Sequence, residues 1–361
     1  MSATADQHHM TRALALAERG LFTTQPNPRV GCVIVRDGEV VGEGWHQKAG
    51  EPHAEVFALR AAGGKARGAT AYVTLEPCSH HGRTPPCADA LIEAGVTRVV
   101  IASIDTNPKA KGGVDRLRAA GITVETGLME DAARELNIGF FSCLERGRPW
   151  VRVKLAMSLD GRTALANGES KWITGEAARA DVQRWRARSS AILTGSGTVL
   201  ADDPRLTVRL DESFEPPLRV ALDRMLRTPA DAHLLDGTTP TLILHGADAD
   251  ARDARFAKVE CLHVPERDGL LDVHVVLALL ADRDCNEVHV EAGPALCGAL
   301  FEAGVVDELL LYVAPVLLGD KARPLLTMPL LTDMRERRQL HLVDQERLGD
   351  DLRLRLRMTH P

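Results

Sequence analysis

Short runs rich in β-branched residues alternate with helix-patterned segments along almost the whole chain, and this alternation restricts the possible folds most. In the first 147 residues a hairpin around Asp37-Gly38 is followed by the strand-like runs "ATAYVTLEP", "VTRVVIAS" and "GITVET". Helix patterns lie between these runs, and successive strand–helix–strand units favour a mostly parallel sheet covered by helices. The sequence therefore predicts an α/β sandwich for this half.

Two helices of this half are predicted in more detail. "DQHHMTRALALAERG" has helical apolar spacing, Asp6 as its N-cap and Gly20 as its stop signal. "MEDAARELNIGFFSCL" (129–144) is predicted to be one continuous helix.

The chain of 361 residues is too long for one ordinary hydrophobic core, so two domains are expected. "ERGRPW" (145–150) is a short polar break containing glycine and proline, and it predicts domains at 1–147 and 148–361. The second half is again α/β. It ends in the strand-like segments "VVDELLLYVAPVLLG" and "DLRLRLRMTH".

Charge and cysteine usage exclude several classes of protein. The net charge is −6 and neither half is net positive, which argues against a nucleic-acid partner. Seven scattered cysteines are not a disulfide framework and favour a reducing compartment, so we predict a cytoplasmic protein. No apolar run reaches the ~18 residues of a membrane span, and the N-terminus has no signal-peptide pattern.

The segment "EPCSHHGRTPPC" (76–87) places Cys78 and Cys87 in a loop stiffened by prolines. Upstream, "PHAE" places His53 and Glu55 at the start of a predicted helix. Residues two apart do not share a helix face, so one ligand and one residue beside the metal is the natural division. His53, Cys78 and Cys87 would then hold zinc and leave one position open, as in a catalytic site.

This pattern predicts hydrolytic chemistry. Zinc lowers the pKa of a bound water to about 7, and Glu55 would carry its proton to a leaving amine. The H-x-E…P-C arrangement is that of the zinc-dependent nucleobase deaminases, although eight residues separate the two cysteines instead of two. His80 and His81 are interpreted as substrate contacts or surface residues, with a role as a substitute ligand left open.

The segments "HAEVFALR" and "YVTLEPCSHHGRTPPC" closely resemble the diaminopyrimidine deaminase of riboflavin biosynthesis, a family in which the longer loop is the rule. "QPNPRVGCVIV" and "DTNPK" resemble its substrate-pocket segments, except that the family more often has D-P-N-P at 105–108. The resemblance implies a cytidine-deaminase-like α/β/α sandwich. Its implied substrate contacts are Asn27, His80, Thr84, Asp105 and Asn107.

The second half lacks a G-x-G-x-x-G fingerprint, but "LTGSGTV" and "VHVEAGPALCGALF" are strand–turn–helix junctions whose backbone N–H groups suit an anion. "VKLAMSLDGRTA", "ESKWITG", "RWRARSSAILTGSGTVLADDPRLTVR" and "EAGPAL" resemble, in order, the reductase domain of the same bifunctional family. The resemblance implies a dihydrofolate-reductase-like fold that uses NADPH. It implies NADPH contacts at Ala156, Trp172, Thr198, Asp202 and Gly293, and substrate contacts at Ser170, Arg186, Leu206, Arg209 and Glu291.

Local chemistry adds Lys154, Arg224 and Arg227 to the candidates of this second site and supports two that the resemblance already implies. Lys154 lies on the first strand of the domain, where it polarises the sugar or is a surface lysine with its stem buried. Arg186 and Arg209 suit a ribose phosphate. Arg224 follows a predicted strand and is the candidate for the 2′-phosphate of NADPH, with Arg227 in reserve.

The resemblance, which covers nearly the whole chain, implies a bifunctional enzyme of riboflavin biosynthesis that acts on a small phosphorylated pyrimidine. Such an enzyme would deaminate 2,5-diamino-6-(5-phosphoribosylamino)pyrimidin-4(3H)-one and then reduce the ribosyl group to ribityl with NADPH. A nucleic-acid deaminase with an accessory domain and a zinc-stapled binding module are the alternatives. A homo-oligomer, either a dimer or a tetramer, is expected, with no nucleic-acid or membrane partner.

Overall fold

The computed structural model describes residues 3–80, 85–108 and 110–359. The chain forms two compact units: one extends to Gly147 and also includes Ser213–Glu215, and the other begins at Arg148. Across the described residues, none of the helices is both long enough and apolar enough to cross a membrane.

The first unit is a five-stranded sheet with helices on both faces. Its strands are β1 (Gly31–Arg36), β2 (Glu39–Trp45), β3 (Thr70–Leu75), β4 (Arg98–Ser103) and β5 (Thr123–Thr126). Its helices are α1 (Ala3–Glu18), α2 (Ala54–Ala62), α3 (Cys87–Glu93), α4 (Gly113–Ala119), α5 (Glu130–Leu136) and α6 (Ile138–Arg146). The order β2-β1-β3-β4-β5, with an antiparallel hairpin and parallel β3, β4 and β5, confirms the predicted α/β sandwich.

Alternate residues of β1 face the two helix layers, as the two-residue period of a strand requires. Ile34 packs in a core shared with α2, α3 and α4. Val33 and Val35 pack in the opposite core with α1 and α5. The layer that contains α2 and α3 carries the first candidate site.

Two local predictions for this unit were wrong. The helix predicted over 129–144 is interrupted at Asn137, which lies between α5 and α6. The Asn137 side chain accepts from the Arg29 N–H at 2.7 Å and donates to the Arg29 carbonyl at 2.9 Å. Asp6 does not cap α1, which begins at Ala3, and it instead pairs with Arg98 at 2.9 Å.

The second unit is built on a nine-stranded sheet, with two small accessory ribbons. Its strands are β6 (Trp150–Ser158), β7 (Arg162–Ala164), β8 (Ala191–Gly195), β9 (Leu218–Leu222), β10 (Thr241–His245), β11 (Glu260–His263), β12 (Glu266–Arg267), β13 (Leu270–Leu271), β14 (Glu287–Val290), β15 (Glu308–Ala314), β16 (Arg323–Pro324), β17 (Leu340–Leu348) and β18 (Asp351–Met358). Its helices are α7 (Glu176–Arg188), α8 (Ser196–Asp202), α9 (Val273–Ala281) and α10 (Pro294–Glu302). The order is β11-β10-β9-β8-β14-β6-β15-β18-β17, with parallel pairing from β11 to β15 and an antiparallel β17–β18 hairpin at the edge.

The two faces of this sheet differ in chemistry. Val288 and Val290 of β14 face a large apolar core. The opposite face carries a buried charged layer in which Arg152 pairs with Glu287 at 3.2 Å and with Glu308 at 2.6 Å. Helix α7 covers this polar face, which carries the second candidate site.

Candidate active sites

The three predicted metal ligands lie together in the first unit. His53 Nδ1 is 3.2 Å from Cys87 Sγ and 3.6 Å from Cys78 Sγ, and one donor atom of each residue lies within 4.8 Å of the others. Zn–S and Zn–N bonds of about 2.3 and 2.0–2.1 Å in a tetrahedron require N···S separations of about 3.6 Å. The donor set and its spacing therefore fit zinc.

Short connections from three elements position these ligands. His53 is the N-cap of α2, Cys78 follows β3, and Cys87 begins α3. The Cys87 N–H donates to Cys78 Sγ at 3.4 Å, which couples the two cysteines directly. Gly42 and Gly44 on β2 let α2 lie close to the sheet, because a Cβ at either position would contact the helix backbone.

The electrostatics of the cluster favour a thiolate donor. The hydrogen bond from Cys87 lowers the pKa of the Cys78 thiol to about 4, and His53 assists. The same hydrogen bond, together with burial, raises the pKa of Cys87. The hydrogen bond to Cys78 raises the pKa of His53. The lowered pKa of Cys78 favours its ionised thiolate, the form that binds metal.

Glu55 is the second residue of α2 and is only 3% exposed. Its Oε2 has no hydrogen-bond partner among the described residues. Burial raises the pKa of this carboxyl, although the charge of His53 opposes the shift. A buried carboxyl with a raised pKa and an unsatisfied oxygen beside a metal-ligand cluster is the arrangement expected of a proton carrier.

Asn27 is connected to the cluster of candidate ligands through a histidine that the sequence analysis missed. Asn27 Nδ2 is 3.0 Å from His46 Nε2, and His46 Nδ1 is 3.1 Å from the Pro52 carbonyl. Since the carbonyl can only accept, His46 Nδ1 carries the proton and Nε2 accepts from Asn27. The His46 ring also lies edge-to-face against the ring of His53, with centroids 5.4 Å apart.

Asp105 and Asn107 are held by a buried glutamate that the sequence analysis also missed. Glu76 accepts from the backbone N–H groups of Asp105, Gly112 and Val114 at 3.0–3.2 Å. Asp105 Oδ1 in turn accepts from the Asn107 N–H at 2.8 Å. Burial raises the pKa of Asp105 to about 6.

The structure describes only one of the three residues singled out on the cysteine loop. His80 is exposed, and the ligand cluster in the described part of the chain forms without it. Thr84 and His81 lie outside the described residues.

The centre of the second site is a charged group on the polar face of the sheet. Arg186 Nε and Nη2 donate to the two carboxylate oxygens of Glu291 at 2.5 and 2.8 Å, and both side chains are largely buried. Lys154 faces the same layer, with Nζ 5.8 Å from the ring centroid of Tyr312. Burial lowers the pKa of Lys154, and the nearby Glu291 carboxylate partly offsets the shift.

Two strand–turn–helix junctions flank this group at the carboxyl ends of β8 and β14. Thr194 Oγ1 donates to the Glu291 carbonyl at 2.7 Å, joining the two strand ends. Gly293 precedes α10, and a Cβ at this position would lie 4.0 Å from Thr198 Oγ1 in α8. The structure therefore brings Thr198 and Gly293 together, beyond the carboxyl ends of parallel strands where ligands of such sheets bind.

The remaining reductase candidates lie on surrounding elements. Trp172 is 70% exposed and stacks with Arg179 at 4.7 Å; Ser170 precedes it. A cleft of about 380 Å³ begins just after this segment and is lined by Ile173 and Asp351, among others. The other candidates are Ala156 opposite Tyr312 on β15, Asp202 at the end of α8, Leu206 buried with φ 48°, and Arg209, whose N–H donates to Gln183.

The two arginines considered for the 2′-phosphate have different surroundings. Arg224 pairs with Glu266 at 3.3 Å. Arg227 Nη2 donates to Ser196 Oγ at 3.0 Å, at the first residue of α8. Arg227, the reserve candidate, is therefore the one tied to a junction of the candidate cofactor site.

Comparisons with known proteins agree across both units. Residues 3–103 match the family model of the cytidine and deoxycytidylate deaminase zinc-binding region, and residues 149–354 match that of the RibD C-terminal domain. The riboflavin biosynthesis protein RibD of Escherichia coli K12 is 52% identical, with 97% of this chain and 99% of that protein covered. The chain belongs to the RibD family. The RibD of Haemophilus influenzae is 48% identical, with coverage of 96% and 95%.

Solved RibD structures match the whole fold as well. The RibD structure from Acinetobacter baumannii has a TM-score of 0.92 and 47% identity, covering 99% of this chain and 100% of that one. A Thermotoga maritima structure described as a diaminohydroxyphosphoribosylaminopyrimidine deaminase/5-amino-6-(5-phosphoribosylamino)uracil reductase has a TM-score of 0.89 and 34% identity, covering 99% of each chain. The predicted family, fold and bifunctional deaminase–reductase activity in riboflavin biosynthesis are confirmed.

The two residues that the sequence analysis missed, His46 and Glu76, share one property: each contacts a candidate site residue or its backbone. His46 lies in "GEGWHQKAGEPHAE", seven positions before His53, so the histidine pair was a readable signal. Glu76 precedes the Pro77-Cys78 pair and reads as an ordinary strand-end carboxylate. Only the fold brings it to the loop that carries Asp105.

Proposed function

We propose that residues 1–147 bind one Zn²⁺ through His53, Cys78 and Cys87 and remove the 2-amino group of the diaminopyrimidine substrate. The observation that carries this proposal is the cluster of these three donors beside Glu55, whose buried Oε2 has no partner in the described structure. A bound zinc supplies a water of lowered pKa as the nucleophile. Glu55 accepts a proton at Oε2 and delivers it to the leaving amine.

The substrate is oriented by side chains around this cluster, with His80 and Thr84 assigned to it by family resemblance. Asn27 presents its amide oxygen to the pyrimidine, because its Nδ2 is already occupied by His46 Nε2. Asp105 and Asn107 offer polar groups from a loop that Glu76 fixes. This preorganisation supports recognition of a small polar heterocycle.

The second unit, residues 148–361, is proposed to reduce the ribosyl group of the deaminated intermediate to ribityl. A bound NADPH supplies the hydride that is delivered to C1. Lys154, whose pKa burial lowers, is suited to pass a proton to the sugar oxygen. Glu291, fixed by Arg186, is proposed to hold the phosphorylated sugar. Ser170, Leu206 and Arg209 are assigned to the same sugar by family resemblance.

NADPH is proposed to lie over the junctions that follow β8 and β14. The proximity of Thr198 and Gly293 supports this placement. The other proposed contacts are Ala156, Trp172 and Asp202. Of the two arginines, Arg227 is the better candidate for the 2′-phosphate, because Glu266 already neutralises Arg224.

We also propose that the chain assembles into a homo-oligomer, a dimer or a tetramer. Edge strands expose unpaired backbone groups, and β17 lies at the end of the large sheet with most of its residues exposed. Sedimentation analysis of the full chain measures the assembly state directly. A monomer at micromolar concentration would contradict the proposal.

The division of labour is tested by removing the metal. The purified chain is incubated with the diaminopyrimidine and ammonia release is followed, and NADPH oxidation is followed separately with the deaminated intermediate. Chelation of zinc should stop ammonia release and leave NADPH oxidation unchanged. Ammonia release that persists after metal analysis shows a zinc-free protein would refute the zinc assignment.

A further inference from the structure

His289 is a buried imidazole on β14 that the proposed function does not use. Its neighbours across the sheet are Ile192 on β8 and Arg152 on β6, and it is 0% exposed. Neither ring nitrogen has a hydrogen-bond partner among the described residues. Buried polar atoms are nearly always hydrogen-bonded, so these two free nitrogens require an explanation.

The free nitrogens lie in the charged layer behind the reductase site. Alternate residues of a strand share a face, which places His289 between Glu287 and Glu291. Glu287 is already paired, with Arg188 at 2.8 Å and Arg152 at 3.2 Å. The charged groups around the imidazole are Arg152 and Lys154 on β6, Glu287 and Glu291 on or after β14, and Arg186 and Arg188 on α7.

One contact points towards the substrate. His289 Nε2 lies 3.3 Å from Oε1 of Glu291, the same oxygen that accepts from Arg186 Nε. Burial lowers the pKa of His289, so the ring is neutral and carries one N–H. A proton on Nδ1 would direct the Nε2 lone pair at the carboxylate, so the proton belongs on Nε2.

We propose that His289 is a positioning residue of the reductase site. Its Nε2–H donates to the Glu291 carboxylate and fixes the orientation in which that carboxylate engages the substrate. The inference rests on the proposed contact between Glu291 and the sugar. Arg186 holds the carboxylate from α7, and His289 supplies a second donor from the strand that carries it. A small rotation of either side chain would complete the Nε2–H···Oε1 bond, for which the ring has no competing partner in the described structure.

The test compares three substitutions in the full-length chain. The amide nitrogen of glutamine occupies the position of a histidine Nε2, whereas that of asparagine matches Nδ1 and falls short. We expect H289L and H289N to raise the KM for the deaminated substrate about tenfold, the value of one hydrogen bond to a charged group, with kcat changed less than twofold. H289Q should restore the KM to within about twofold of the parent.

Deaminase activity of the same preparations is the internal control for intact, correctly quantified protein. Parent KM in H289L, or equal KM values for H289Q and H289N, would overturn the inference. If H289L does not fold, the comparison of glutamine with asparagine still decides. E291Q separates the two hypotheses: no change in reductase KM in E291Q refutes the proposed substrate contact, whereas a raised KM in E291Q with parent behaviour in H289N refutes only the role of His289.

Discussion

Replacing Glu55 by glutamine removes one ionisable group and almost no volume from the deaminase site. The side chain is 3% exposed, and its Oε2 lacks a partner in the described structure, so the change breaks no recorded bond at that oxygen. Burial raises the pKa of Glu55, a shift in the direction that suits a group that takes up and releases a proton. Glutamine cannot do either.

The expected loss follows from the two proton transfers proposed for Glu55. General acid–base catalysis contributes about 10²–10⁴-fold, and one group serving both steps places E55Q near the upper limit. We therefore expect ammonia release to fall about 10⁴-fold, equivalent to about 5.5 kcal/mol in activation free energy. The assay is the initial rate of ammonia release from the diaminopyrimidine, with zinc content measured on the same sample.

Two controls make this result specific. Zinc content should stay at one per chain, because Glu55 is not among the three clustered ligands. NADPH oxidation with deaminated substrate should remain within about twofold of the parent, since that chemistry resides in the second unit. Deamination within tenfold of the parent rate in E55Q would refute the proton-carrier role.

Three further predictions concern metal, pH and cofactor. Cys78→Ser should lose both zinc and ammonia release, whereas Cys32→Ser, which replaces a buried thiol in the core, should keep both. Elemental analysis measures the zinc content of the two variants, and a C78S protein with full zinc content would contradict the ligand set. Burial raises the pKa of Asp105 from 3.8 to about 6, so the folded state binds this proton more tightly than the unfolded state, and the free energy of unfolding falls as the pH rises from about 4 to about 6. D105N should reduce that fall by up to about 3 kcal/mol, as measured by urea titrations at several pH values. An unchanged pH dependence in D105N would contradict the prediction. Arg227→Ala should reduce the NADPH preference, measured as the ratio of kcat/KM for NADPH and NADH, about tenfold. Arg224→Ala should change it less, and the reverse order would return the role to Arg224.

The fold was predictable where the local hydrophobic pattern of a segment favours the same secondary structure as its packing in the folded protein. The hairpin at Asp37-Gly38 and the parallel strands followed from β-rich runs between helices. The break at Asn137 was missed because its cause is Arg29, more than a hundred residues away in the chain. Strand β17 was missed because its charged residues obscure the alternation of apolar and polar side chains that marks a strand. Gly349, in the turn that follows, was a signal for a hairpin.

The clustering of the three candidate metal ligands was predictable because these residues belong to two short motifs. His53, Cys78 and Cys87 have side chains that commonly bind zinc, and the structure brings the three together. Residues that act through others carry no such signature. His289 reads as an ordinary strand residue, and only the fold shows that its ring is fully buried and that neither ring nitrogen has a hydrogen-bond partner among the described residues.

The central claim is that one chain performs the two reactions in order, deamination before reduction. The most direct measurement follows ammonia release and NADPH oxidation simultaneously after the diaminopyrimidine is added to the purified parent and to E55Q. The account predicts one NADPH oxidised per ammonia released in the parent, with ammonia appearing first. In E55Q it predicts neither signal from the diaminopyrimidine, and NADPH oxidation without ammonia release once deaminated intermediate is supplied. NADPH oxidation by E55Q on the diaminopyrimidine itself would contradict the account.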